Sequence, residues 1–88
     1  MKKIYFYFQP GCPACEAAEP ELTLFSRQHR SIPVLRSNIQ LADWAFGGWS
    51  PKATPGYALI HEGKVIKKHE GMMTQAQIVA WLGKDLAS

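Results

Sequence analysis

Two cysteines separated by two residues, Cys12 and Cys15, are the side chains whose type and spacing point most directly to chemistry. An apolar run from Ile4 to Phe8 precedes them and a helical pattern follows, so the motif falls on a strand-to-helix turn. Residues three apart at the start of a helix lie about 5 Å apart at Cα, which is within the range that a disulfide accepts. The two thiols can therefore form a disulfide without a movement of the backbone.

The position of this motif at the head of a helix predicts different roles for the two thiols. Unpaired N–H groups and the positive end of the helix dipole stabilise a thiolate over a thiol and lower the pKa of the first cysteine. Cys12 is therefore the predicted nucleophile. Cys15, one turn into the helix, is placed to attack a mixed disulfide on Cys12 and release the partner, so it is the predicted resolving thiol.

The length and composition predict a single globular domain that spans residues 1–88. Hydrophobic residues make up 47% of the chain, and no segment approaches the roughly 20 apolar residues that a membrane span needs. The apolar stretch near the N-terminus is too short for a signal peptide, so a cytoplasmic location without a membrane partner is expected. The net charge of +3 is scattered without interleaved aromatic residues, so no nucleic-acid partner is expected.

The apolar patterns predict the order β-α-β-α-β-β-α, which gives an α/β fold with a four-stranded mixed sheet and helices on both faces. A long helix from Pro13 to about His29 should bend at Pro20, and a short helix is expected between Gln40 and Thr54. The predicted strands run from Ile4 to Phe8, Ile32 to Ile39, Tyr57 to His61 and Lys64 to Glu70. A hairpin turn at Glu62-Gly63 joins the last two strands. The final helix is capped by Thr74 and Gln77, and its apolar stripe extends to Leu86.

Four features occur at offsets that are similar to those of thioredoxins, and together they cover nearly the whole chain. They are the Cys12-Pro13-Ala14-Cys15 motif, Pro20 within the helix, Thr54-Pro55 before a strand, and the Gly71-Met72-Met73-Thr74 step into the last helix. The chain thus resembles the thioredoxin-like superfamily, shortened to about the size of a glutaredoxin. The resemblance implies a thioredoxin-like fold, a cis bond before Pro55, and contacts to substrate from Gly11, Pro13, Thr54 and Pro55, with the Thr54 backbone pairing with an extended partner segment.

The sequence also departs from the thioredoxin pattern at the motif. Gly11 stands where thioredoxins usually have a tryptophan, and Phe6 stands where they have a buried aspartate that accepts a proton from the resolving thiol. We therefore expect Cys15 to lose its proton less readily, with water or Glu16 as the acceptor. Arg36 falls where thioredoxins tend to have a lysine near the active site.

The resemblance implies a thiol–disulfide oxidoreductase that reduces protein disulfides through a Cys12/Cys15 dithiol–disulfide cycle. A disulfide reductase or a small thiol would return the electrons, no cofactor would be needed, and a monomer is expected. Two alternatives remain open. One is a glutathione-dependent glutaredoxin-type enzyme, against which the absence of the glutaredoxin Gly-Gly-x-Asp step after Gly71 argues. The other is a non-enzymatic module that binds Cu(I) or zinc through the two thiolates.

Overall fold

The computed structural model describes residues 1–40, 49 and 51–86 of the chain. Within these ranges the elements are β1 (Lys2–Phe8), α1 (Pro13–Gln28), β2 (Val34–Asn38), β3 (Gly56–His61), β4 (Lys64–Glu70), α2 (Gln75–Leu82) and a 3-10 helix (Gly83–Leu86). The short helix predicted between Gln40 and Thr54 falls almost wholly outside the described residues. Neither described α-helix has the length and apolar composition that a membrane crossing requires.

The strands form one mixed sheet of four strands in the order β2-β1-β3-β4. Strand β1 pairs in parallel with β2 and antiparallel with β3, and β3 continues antiparallel into β4. A parallel pair needs a long crossover connection, which α1 supplies between β1 and β2. The predicted four-stranded mixed sheet is confirmed.

Strand β1 is buried on both of its faces, which explains why its sequence shows no alternation of apolar and polar residues. One face of the sheet and both described α-helices share a core cluster that includes Ile4, Phe6, Ala18, Leu22, Phe25, Tyr57, Leu59, Ile78 and Leu82. The opposite face carries a second cluster of Tyr5, Tyr7, Ala58 and Ile60, against which Trp49 packs. The strand that leads into the cysteine motif is therefore held rigidly between two apolar layers.

The hairpin between β3 and β4 turns through two residues, as predicted. Glu62 and Gly63 have φ angles of 53° and 78°, and His61 pairs with Lys64 across the turn. Two central residues with positive φ define a type I′ turn, whose twist matches that of the flanking strands. Because Gly63 lacks a Cβ, it adopts this conformation without steric cost.

The start of α2 agrees with the sequence, but its end does not. The Thr74 hydroxyl accepts from the Gln77 N–H at 3.2 Å, and the Gln77 side chain accepts from the Thr74 N–H at 2.9 Å, which completes the predicted capping box. The α-helix was expected to reach Leu86, and that prediction is wrong. It ends at Leu82 because Gly83 takes a φ of 54°, after which the chain tightens into a 3-10 turn.

Strand β2 is shorter than the predicted range of residues 32 to 39. It begins at Val34 because the preceding Pro33 has no N–H to donate to the ladder, although the Pro33 carbonyl accepts from the Ile4 N–H at 2.9 Å. Ile32 lies before the strand and still contributes a buried side chain to the first core cluster. The apolar pattern therefore identified Ile32 as a core residue, but the strand boundary drawn from it was wrong.

Lys67 ties strand β4 to the end of α2. Its ammonium group donates to the carbonyls of Trp81 and Leu82, each at 2.8 Å, and lies 2.8 Å from the Asp85 carboxylate. Lys2 approaches the other Asp85 oxygen at 3.4 Å. The hydrogen bond from Lys67 and the charges of both lysines hold the pKa of Asp85 below its ordinary value.

The lowered pKa of Asp85 predicts how stability depends on pH. A carboxyl group with a lower pKa in the folded than in the unfolded chain stabilises the fold above about pH 4, and this contribution is lost as the pH falls through the folded-state pKa. We expect the Asp85→Asn protein to be less stable than the parent at neutral pH. The difference between their free energies of unfolding should disappear in acid. Urea unfolding of both proteins at several pH values in the acid range measures this difference. If it stays constant with pH, the prediction is contradicted.

Candidate active site

The cysteine motif sits where β1 turns into α1. Strand β1 ends at Phe8, Gly11 turns the chain with a φ of 76°, and α1 begins at Pro13, so the predicted strand-to-helix turn is confirmed. A Cβ at Gly11 would meet no atom within 4 Å, so the backbone conformation rather than a lack of space favours glycine. The helix continues through Pro20 to Gln28, as the sequence predicted.

Cys12 and Cys15 form a disulfide whose Cα atoms lie 5.2 Å apart. Cys12 is the N-cap of α1, and its Sγ accepts a hydrogen bond from the Cys15 N–H at 3.1 Å. The Cys12 carbonyl accepts the first intrahelical bond, from the Glu16 N–H at 3.1 Å. One otherwise unpaired N–H at the helix terminus thus points at the first sulfur, where it would stabilise a thiolate in the reduced protein.

Thr54 lies directly beside Cys12, although 42 residues separate the two in the chain. The Thr54–Pro55 peptide bond is cis, which is the geometry that the resemblance implied. The Thr54 hydroxyl donates to Cys12 Sγ at 3.4 Å, and the Thr54 carbonyl lies 3.7 Å from the same sulfur. That carbonyl can accept a hydrogen bond from Cys12 only when the disulfide is reduced to a thiol.

The loop that leads into α2 is fastened to this proline. The Gly71 N–H donates to the Pro55 carbonyl at 2.8 Å, and the Met73 N–H donates to the Tyr57 hydroxyl at 3.2 Å. Tyr57 is fully buried, and this burial raises the pKa of its hydroxyl, which therefore stays protonated. The segments around Thr54 and Gly71, far apart in sequence, are thus held together next to the disulfide.

The Thr54 hydroxyl predicts a measurable effect on the ionisation of Cys12. Replacing it by valine removes one hydrogen bond to the sulfur, so the pH at which reduced Cys12 ionises should rise by up to about one unit. The ultraviolet absorbance of the thiolate, followed against pH, measures this shift. Thr54→Ser keeps the hydroxyl and serves as the control, and an identical titration for the valine variant would contradict the assigned hydrogen bond.

Phe6 occupies the position where the resemblance places a buried aspartate, and its side chain is wholly buried in the first core cluster. No aspartate or glutamate is buried within the part of the chain that the structure describes. Glu16 and Glu19 line a pocket of about 170 Å³ together with both cysteines. Within the described residues, these two carboxylates share a pocket with the cysteine pair, whereas no aspartate or glutamate is buried beside Phe6.

Glu19 is a site residue that the sequence analysis missed. Its carboxylate accepts from the Arg36 Nε with both oxygens, at 2.9 and 3.1 Å, so Arg36 reaches the site through Glu19. The spacing offered a signal, because Cys15 and Glu19 are four residues apart and lie on one face of the helix. Glu16 lines the same pocket, and the structure records no ion pair for it with any described residue.

The three histidines lie apart from the cysteine motif. His29 packs against Phe25, His69 packs against Tyr57, and His61 lies 3.6 Å from Glu62. Among the described residues, no three His, Cys, Asp or Glu side chains are grouped so that they could hold a metal ion.

Comparison with solved structures shows which folds this chain is similar to. It superposes on thioredoxin-2 of the malaria parasite, described as a component of the parasite's protein secretion machinery, with a TM-score of 0.83 and 15% identity over 96% of this chain and 82% of that one. For the periplasmic thioredoxin SoxS of Paracoccus pantotrophus the TM-score is 0.79 and the identity 18%, over 99% and 97% of the two chains. For mitochondrial thioredoxin 3 of Saccharomyces cerevisiae the values are 0.79 and 19%, over 96% and 77%.

No protein-family model and no curated protein sequence matches the chain. The similarity is therefore one of structure at low sequence identity. The chain has a thioredoxin-like fold, and the fold class predicted from the sequence is confirmed.

Proposed function

We propose that this protein is a thiol–disulfide oxidoreductase that reduces disulfides in other proteins. The observation that carries the proposal is the Cys12–Cys15 disulfide at the head of α1, where Cys12 Sγ accepts hydrogen bonds from the Cys15 N–H and the Thr54 hydroxyl. A thioredoxin-like fold around this pair supports the same reaction class. The two sulfurs form and break the bond between them without rearrangement of the helix, because their Cα atoms are already 5.2 Å apart.

The reaction proceeds in two exchange steps. The Cys12 thiolate attacks one sulfur of the target disulfide, forms a mixed disulfide with it and expels the other target sulfur as a thiolate, which takes up a proton. The Cys15 thiolate then attacks Cys12 Sγ and expels the second target thiolate, which is protonated in turn. The target gains two electrons and two protons, and the Cys12–Cys15 disulfide is formed. A disulfide reductase or a small thiol returns the electrons to the pair.

The surface beside the disulfide suits an extended segment of the target. The Thr54 carbonyl lies 3.7 Å from Cys12 Sγ, so the N–H and C=O of Thr54 are close enough to the sulfur to pair with a partner strand bound there. Gly11 and Pro13, which flank Cys12 in the chain, complete the proposed contact surface. The proposal places a monomeric enzyme in the cytoplasm, where thiols are kept reduced.

The reduction potential of the Cys12/Cys15 pair, measured in glutathione buffers, tests the direction of the reaction. A value near about −270 mV, typical of thioredoxin, agrees with a reductant. A value near about −120 mV, typical of the strongest oxidants of the superfamily, would contradict reduction as the working direction.

The electron donor is tested by reducing insulin with this protein and each of two recycling systems. Turnover with NADPH and thioredoxin reductase supports the thioredoxin-type cycle. Turnover with glutathione and glutathione reductase alone would favour the glutaredoxin-type alternative.

A thiol titration with and without zinc addresses the metal-binding alternative, because a site built on the two thiolates would protect both from the reagent.

A further inference from the structure

A groove lined by arginines lies between the C-terminal half of α1 and strand β2, away from the disulfide. Its volume is about 420 Å³, and its polar lining consists of Thr23, Ser26, Arg27, Arg30 and Arg36. We refer to these five residues as the arginine groove. Arg27 is fifteen residues beyond Cys12, which corresponds to about 22 Å along a helix, so a molecule in this groove does not touch the cysteine pair.

The groove arises from a helix face placed against an edge strand. Thr23, Ser26 and Arg27 are spaced at i, i+3 and i+4, so their side chains project from one face of α1. Arg30 follows in the turn after the helix ends at Gln28 and lines the same groove. Strand β2 is at the edge of the described sheet, and from it Arg36 projects toward the same helix, where it meets Glu19. Guanidinium groups therefore enter the groove from both of its walls.

The charges of the groove are largely uncompensated. Arg27 and Arg30 are exposed, and neither makes an ion pair or a hydrogen bond with a residue in the described ranges. Arg36 is hydrogen-bonded to Glu19 through its Nε, and its two terminal amino groups have no recorded hydrogen bond within those ranges. Glu19 thus orients the Arg36 guanidinium and leaves its outer N–H groups open to a ligand.

We propose that the arginine groove binds a small molecule that carries a phosphate or diphosphate group. Planar guanidinium forks match phosphate oxygens with paired hydrogen bonds, and the half-buried hydroxyls of Thr23 and Ser26 supply further donors. A concave site of this volume accepts a compact ligand. A phosphate or diphosphate carries several negative charges on one compact group, which three guanidinium groups in one groove can contact together. The carboxylates of an acidic peptide are spread along its chain and match this arrangement less well.

Calorimetric titration of the oxidised protein with inorganic pyrophosphate, at physiological ionic strength and neutral pH, tests this proposal. We expect saturable binding of one pyrophosphate per chain with a Kd below about 1 mM. The double variant Arg27→Gln and Arg30→Gln should bind at least about tenfold more weakly, since each residue contributes charge-assisted hydrogen bonds. The matched control, Lys64→Gln with Lys84→Gln, removes the same charge from exposed positions outside the groove and should bind like the parent.

Three results would overturn the proposal. The first is the absence of saturable binding to the parent, which would leave the arginines as partners of the helix dipole at the end of α1. The second is equal weakening in the lysine control, which would indicate an effect of net charge alone. The third is tighter binding of a hexaglutamate peptide than of pyrophosphate, which would assign the groove to an acidic protein. Because the measurement uses the oxidised protein and involves no thiol exchange, its failure leaves the proposed reductase activity untouched.

Discussion

Replacement of Cys12 by serine is expected to abolish the reduction of protein disulfides, with a loss of more than about 10³-fold in insulin turnover. The serine hydroxyl is not ionised at neutral pH, so the hydrogen bonds that the site directs at this position no longer stabilise a nucleophile. The exposures of Cys12 and Cys15, 8% and 5%, are too similar to assign the roles. The assignment rests on the donors at Cys12 Sγ, from the Cys15 N–H and from Thr54.

Cys15→Ser is the matched variant, and its expected result is different. The first exchange step still occurs, but no thiol releases the target, so a mixed disulfide with Cys12 should accumulate. Non-reducing electrophoresis and mass spectrometry of the adduct identify the linked cysteine. If an adduct accumulates on Cys15 in the Cys12→Ser protein while Cys15→Ser forms none on Cys12, the two roles are reversed.

Features set by neighbouring residues could be predicted from the sequence. The type I′ turn at Glu62-Gly63 and the capping box of Thr74 and Gln77 involve residues at most three positions apart, so their side-chain types alone define the geometry. The start of α1 at Pro13 follows from the same kind of local information. The cysteine pair could therefore be placed at the head of a helix before any tertiary contact was known.

Features that depend on the packing of distant segments could not be predicted in the same way. The pairing of Glu19 with Arg36 requires the register of β2 against β1, in which Arg36 lies opposite Phe6. The arginine groove likewise exists only once the α1 face is placed beside the edge of the sheet. The position of Thr54 at the site could be inferred only through the resemblance to thioredoxins, and the hydrogen bond of its hydroxyl to Cys12, across 42 residues, was not predicted.

Phe6→Asp is expected to produce the largest loss of stability among the single substitutions considered. The Phe6 side chain is fully buried, and its ring packs edge-on against Tyr57 at a centroid distance of 5.2 Å. Loss of this packing costs roughly 3–5 kcal/mol, and burial of a carboxylate adds to that cost. Burial raises the pKa of the new carboxyl group, so the folded state favours its protonated form. The loss should therefore grow as the pH rises from about 4 toward neutrality, which urea unfolding at several pH values measures.

The same substitution tests whether a missing carboxylate limits the second exchange step. An aspartate at this position would supply a buried carboxyl group that the described residues do not offer, so release of the target from the mixed disulfide should accelerate by on the order of tenfold or more once the pH exceeds the raised pKa of that group. The control is Phe6→Asn, because asparagine has nearly the same shape as aspartate but no ionisable group. It separates the effect of the carboxyl group from the effect of the lost packing. If Phe6→Asp releases its target with the rate and pH profile of the asparagine variant, proton transfer from Cys15 is not limiting. The pocket-side carboxylates of Glu16 and Glu19 would then be sufficient acceptors for it.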